Sequence, residues 1–134
     1  MLHKRSIFAL IPLIALVALI AGCASKTTPS PTPSPSTGGN TITVTAAGMA
    51  FDTSTITVSA GGHVTITFNN NDNGIPHNIA FYTSSSATTV IYKGENILGV
   101  LNVTYTFDAP TTPGTYFFRC DMHPTTVTGD FIVN

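Results

Sequence analysis

Cys120 and His123 are separated by two residues in "RCDMHP" (119–124), and a second histidine, His77, lies far upstream in "GIPHNIAFY" (74–82). A thiolate is a soft donor and an imidazole a borderline one. One thiolate with two imidazoles makes a trigonal set suited to copper. Zinc competes for the same residue types, but its structural sites take four protein ligands and usually more thiolates. A cysteine–histidine nucleophilic pair is a third option. It would require an orienting partner for the histidine and an oxyanion hole, and neither the close C-x-x-H loop nor the absence of any helical stripe supports it. His63 shares a face of an alternating run with Thr65 and Thr67, where a surface histidine is expected.

The thiol is solitary for a reason that lies at the other end of the chain. Lys4 and Arg5 precede an apolar run from Ile7 to Ile20, broken only by Pro12. That run has the length of a signal-peptide core and is short for a bilayer span. It closes on "LIAGC" (19–23) rather than on an A-x-A site, which resembles a bacterial lipobox. Residues 1–22 are therefore expected to be a lipoprotein signal peptide, with lipid attached to Cys23. Residues 23–40 continue as the anchor and a Ser/Thr/Pro-rich linker, "ASKTTPSPTPSPSTGGN", which cannot bury a core and should stay extended. At about 3.1 Å per residue the tether reaches on the order of 50 Å. With Cys23 lipidated in an oxidising compartment outside the cytoplasm, Cys120 has no disulfide partner in the mature chain. It must be buried and inert, or bound to something.

Residues 41–134 are expected to form the single folded domain. Past Cys23, Lys26, Lys93 and Arg119 stand against Asp52, Asp72, Glu95, Asp108, Asp121 and Asp130, three cations against six carboxylates, a net of −3. There is no basic patch to serve nucleic acid. Apolar and polar residues alternate with period two in "TITVTA" (41–46), "STITVS" (54–59), "HVTITFN" (63–69), "HNIAFYT" (77–83), "TVIYKG" (89–94), "NVTYTFD" (102–108), "GTYFFRC" (114–120) and "GDFIVN" (129–134). Turn residues punctuate them, as in "NNNDNG" (69–74) and "APTTPG" (109–114). The pattern predicts an all-β, Greek-key antiparallel β-sandwich of seven or eight strands. In such a sandwich His77 at a strand start, Cys120 at a strand end and His123 in the next loop can meet at one pole.

These segments together resemble the cupredoxins, the blue-copper electron-transfer fold of plastocyanin and amicyanin. The resemblance rests on "AFDTSTITVSAGGHVTITFNN", "DNGIPHN", "GTYFFRC" and "CDMHPTTVTG" and spans nearly all of 41–134. It implies one type 1 copper ion held by His77, Cys120 and His123, with Asn78 tying the two ligand loops together by hydrogen bonds. Family members usually place a weak axial methionine shortly after the second histidine. Aligned on Gly129, that place falls here on Val127, or on Thr126 with amicyanin-like spacing, and neither supplies a thioether. Met122 should point away from the metal, and Met49 should pack in the core. Glu95 is a possible alternative ligand, because the red-copper protein nitrosocyanin includes a glutamate in its set.

The expected function is that of an extracytoplasmic, membrane-anchored, monomeric one-electron carrier and not an enzyme. Redox proteins would dock near His123, beside Pro124, Ile75 and Pro76. A nitrosocyanin-like enzyme or small-molecule sensor using Glu95, and a copper-binding surface lipoprotein without redox function, are the alternatives.

Overall fold

The computed structural model describes residues 40–134. The signal peptide expected over 1–22, the lipidated Cys23 and nearly all of the linker lie outside the described residues. Eleven strands follow in order: β1 (Asn40–Ala47), β2 (Ala50–Phe51), β3 (Thr55–Val58), β4 (His63–Asn70), β5 (Pro76–His77), β6 (Ala80–Tyr82), β7 (Val90–Lys93), β8 (Ile97–Leu98), β9 (Leu101–Asp108), β10 (Gly114–Arg119) and β11 (Thr128–Val133). There is no helix among the described residues.

The strands make one sheet of order β2-β1-β4-β9, a second of order β3-β11-β10-β6-β7, and a small ribbon, β5-β8. The all-β sandwich agrees with the sequence, but it is mixed rather than purely antiparallel: β1 runs parallel to β4, and β3 parallel to β11. Alternation reports which face is buried and is silent on strand direction. The chain also crosses between the sheets from β3 to β4, so neighbours in sequence need not be hairpin partners. The larger strand count comes from the two-residue pairings β2, β5 and β8, too short to show a period.

Inward parity builds the core. Val64, Ile66 and Phe68 on β4 are fully buried, and their register sets Ile66 opposite Tyr105 and Val64 opposite Phe107 on β9. From the facing sheet come Phe81, Phe118 and Phe131. Phe81 lies 4.8 Å from both Phe107 and Phe131, ring centre to ring centre, so aromatic contacts stitch the two layers. Phe118 pairs with Gly129 across β10 and β11, and its ring occupies the space a side chain at Gly129 would fill.

Two local expectations are corrected. The run 77–83 is not one strand, because β5 and β6 are interrupted at Asn78 and Ile79. Every residue from His77 to Tyr82 is buried, so alternation fails where the chain turns its polar groups inward to the site. Met49 does not pack in the core. It sits at the tip of the β1–β2 hairpin with Gly48, both at positive φ (65° and 60°), and is 37% exposed. The two-residue turn needs left-handed backbone at both positions, and that aims Met49 outward.

Tyr105 ties the core to the chain segment beyond β7. Its hydroxyl donates to the Glu95 carbonyl at 2.9 Å, and burial, with smaller contributions from Tyr92 and Glu95, pushes its pKa up to about 12 from 10.0. A phenol kept neutral by the fold stabilises fully below pH 10 and loses that contribution as pH rises toward 12. The loss amounts to about 3 kcal/mol. Tyr105→Phe should cost about 1 kcal/mol at neutral pH through the missing hydrogen bond and then lose less stability than the parent between pH 10 and 12. Urea denaturation across that range checks this, and parallel curves for the two proteins would refute it.

Candidate metal centre

Asn70 occupies the last inward position of β4, where the alternation continues past Phe68 but the residue is polar and fully buried. Its amide donates to the Ile75 carbonyl at 2.8 Å and the Ile97 carbonyl at 3.0 Å, and its oxygen accepts from the Asp72 N–H at 2.9 Å. One side chain thereby fastens the loop 71–75 and β8 to the end of β4. His77 is the next residue delivered, paired with Ile97 in the β5–β8 ribbon.

The cysteine loop is closed by its own backbone. The Cys120 N–H donates to the Val127 carbonyl at 2.8 Å, and the His123 N–H to the Cys120 carbonyl at 3.2 Å. The Val127 N–H returns to the His123 carbonyl at 3.1 Å. Within this turn, Cys120 and Val127 are buried and His123 is half-buried.

His77, Cys120 and His123 converge. Cys120 Sγ lies 3.5 Å from His77 Nδ1 and 3.7 Å from His123 Nδ1, and the three donor atoms all fall within 4.8 Å of one another. A first-row cation bonds nitrogen at about 2.0 Å and sulfur at about 2.3 Å. In a trigonal arrangement those lengths place sulfur and nitrogen about 3.7 Å apart, which the observed separations match. Both sulfur–nitrogen separations therefore fit a copper ion, and three donors with one soft sulfur suit copper better than a closed zinc site. Cys120 is a buried free thiol, set against two imidazole nitrogens.

Asn78 links the two loops. Its N–H points at Cys120 Sγ at 3.5 Å, its side-chain oxygen accepts from the Asp121 N–H at 2.8 Å, and its amide donates to the Gly94 carbonyl at 3.2 Å. Gly94 must lack a side chain, since a Cβ would come within 2.9 Å of the Tyr105 ring and 3.0 Å of the Ile79 carbonyl. Asp121 is gripped in turn by Tyr82 Oη at 2.7 Å, Arg119 Nε at 2.9 Å and, as an ion pair, Lys93 Nζ at 2.8 Å. Burial opposes ionisation of Asp121, but Lys93, Tyr82 and Arg119 outweigh it and hold its carboxyl at about 2.

Other residues singled out in the sequence lie elsewhere. Glu95 is exposed and outside the cluster, its carbonyl rather than its carboxylate engaged, by Tyr105. Thr126 is exposed, and Met122 is 43% exposed. His63 sits at the surface, 2.8 Å from Asp108. Sequence reasoning passed over Asn70 and Asp72, because "NNNDNG" reads as turn composition. Only the unbroken parity from Val64 to Asn70 hinted at a buried asparagine.

A family model for the Cupredoxin-like domain matches residues 12–133. No curated protein matches the sequence significantly. Among solved structures, auracyanin A, a "blue" copper protein from the green thermophilic photosynthetic bacterium Chloroflexus aurantiacus, is 29% identical, with a TM-score of 0.65 over 72% of this chain and 100% of its own. Reduced auracyanin from Roseiflexus castenholzii is 25% identical, with a TM-score of 0.64 over 71% of this chain and 97% of its own. An amicyanin mutant in its reduced Cu(I) form is 26% identical, with a TM-score of 0.50 over 69% and 81%. With the fold, the converging donors and a family match over most of its length, the chain belongs to the cupredoxin-like domain family.

Proposed function

We propose that this chain is a membrane-anchored one-electron carrier in which His77, Cys120 and His123 hold a single type 1 copper ion. The observation that carries the reading is the donor cluster itself, one thiol and two imidazole nitrogens within 4.8 Å. A copper ion bound there would supply the one-electron exchange between Cu(I) and Cu(II). The chain's own part is to keep the donors still. His77 and Cys120 are fully buried, and the hydrogen bonds of Asn78 hold both loops, so the same positions serve either oxidation state with little rearrangement.

Val127 is proposed as the axial residue. It is 1% exposed, it cannot donate, and its branched side chain would keep water from the site. A missing axial donor costs the higher oxidation state more, which sets the potential toward the high end of the class. His123 is the half-buried member of the set and the proposed exit for the electron. Pro124 and Met122 are exposed beside it, and Leu98, paired with Pro76 next to His77, is 68% exposed. An apolar rim of this kind suits brief docking of a redox protein, where small interfaces favour turnover. Lipid on Cys23 and the proline-rich linker would hold the carrier outside the cytoplasm at a membrane surface.

Copper titrated into the purified protein should produce an intense visible thiolate-to-copper band, reversible on reduction, and Cys120→Ser should abolish it. An unchanged band in the variant places the site elsewhere. A band moved well toward shorter wavelength, or one that cannot be cycled, would favour the sensor or the non-redox alternative.

Val127→Met, which brings a thioether toward the metal, should lower the reduction potential by about 59 mV, a tenfold shift toward Cu(II) for a one-electron couple, with the band retained. No movement in Val127→Met together with a strong shift in Glu95→Gln would make the glutamate the fourth ligand.

The mature protein should begin at Cys23, carry the added mass of lipid and partition into detergent. A soluble product lacking Cys23, or bearing it unmodified, rules the anchor out.

A further inference from the structure

Asp72 lies in the loop after β4, at the head of the segment "DNGIPHN", where its residue type alone reads as a turn residue. Its carboxylate is 11% exposed and meets the fully buried ring of His77, with Oδ2 2.8 Å from Nε2. The same carboxylate accepts the Gly48 N–H on Oδ1 at 2.6 Å and the Met49 N–H on Oδ2 at 3.0 Å. These are the two left-handed residues of the β1–β2 turn, whose peptide N–H groups are thereby turned onto one acceptor. The main chain of Asp72 is also held, its N–H by Asn70 and its carbonyl by the Ile75 N–H at 3.2 Å. An exposed ion pair of two mobile side chains contributes little. This carboxylate is instead held by three partners, and its main chain by two more.

A carboxylate only accepts hydrogen bonds, so the proton of a neutral His77 ring belongs on Nε2, which leaves the Nδ1 lone pair facing Cys120 Sγ. A carboxylate behind a ligating imidazole also raises its donor strength and fixes its orientation. We infer that Asp72, clamped by the Gly48–Met49 turn, is a positioning residue that selects the His77 tautomer and lowers the potential of the bound metal by adding negative charge behind this ligand. The part concerning potential rests on the copper reading above; the part concerning the tautomer does not.

Two measurements test it. In the metal-free full chain, nitrogen-15 NMR of the neutral His77 ring should show Nε2 protonated and Nδ1 bare. A ring protonated on Nδ1 overturns the inference without any variant, whether or not copper binds. In the copper-loaded protein, Asp72→Asn removes the charge while keeping an acceptor oxygen. The Cu(I)/Cu(II) equilibrium should shift about tenfold toward Cu(I), a rise of about 59 mV, with the visible band retained. Asp52→Asn is the control: Asp52 accepts the Thr45 N–H in the same hairpin and is exposed, so the change removes a charge while keeping an acceptor oxygen and without touching His77. Its potential should stay at the parent value. Equal shifts in the two variants, or none in Asp72→Asn, overturn the role in setting potential. If Asp72→Asn does not fold, the tautomer of the unaltered chain decides. If the parent chain shows no copper band, the copper reading fails and the tautomer measurement still judges Asp72.

Discussion

Three metal-donor atoms must be held within 4.8 Å of one another, although His77 and Cys120 are separated by 43 positions in the chain. Everything polar in the interior answers to that constraint. Among the described residues the buried polar side chains are Asn70, His77 and Asn78, and all three belong to one assembly. Asn70 fixes the loop that delivers His77, and Asn78 fixes the loop that delivers Cys120 and presents an N–H to its sulfur. A half-satisfied network in a low-dielectric interior is worse than an apolar one. Here the bridging amides use both their donor and acceptor ends.

Around this assembly the sandwich supplies stiffness and asymmetry. The aromatic contacts between Phe81, Phe107 and Phe131 bind the layers beneath the site, and close packing transmits little give. The donors are not equivalent, however. His77 is sealed inside and hydrogen-bonded to a carboxylate, whereas His123 hangs from a short loop and is half-buried. One imidazole is placed to be tuned from within, and the other to be reached from without. A carrier needs both properties and gains from assigning them to different ligands.

The long strands were legible because one face is buried. β4 and β9 lie within a residue of where period-two alternation puts them. Alternation could not report direction, so the parallel pairings of β1 with β4 and β3 with β11 were out of its reach. It failed outright from His77 to Tyr82, where burial is continuous because the site sits there. The members of the donor cluster were readable from their types and spacing, since cysteine and histidine are scarce in this chain. Asp72 was not, because what gives it a role are the Gly48 and Met49 N–H groups, contributed by a turn more than 20 residues away.

Two carboxylates flank the cluster, and their surroundings divide their effects. Asp121, next to Cys120, faces the cations Lys93 and Arg119 at 2.8 and 2.9 Å. Its field is largely cancelled at short range, and what remains is a rigid acceptor whose main chain is locked to Asn78. Apart from His77 itself, Asp72 contacts no basic side chain among the described residues; peptide N–H groups of the turn, Met49 foremost and then Gly48, with His77 adding to them, hold its carboxyl below the usual carboxylate range. Dipoles stabilise a charge without neutralising it, so its field persists toward His77. In a medium of low effective dielectric such a residual charge acts more strongly than any exposed one. Among the carboxylates around the donors, the compensated one serves as scaffold and the uncompensated one is left to act on the metal.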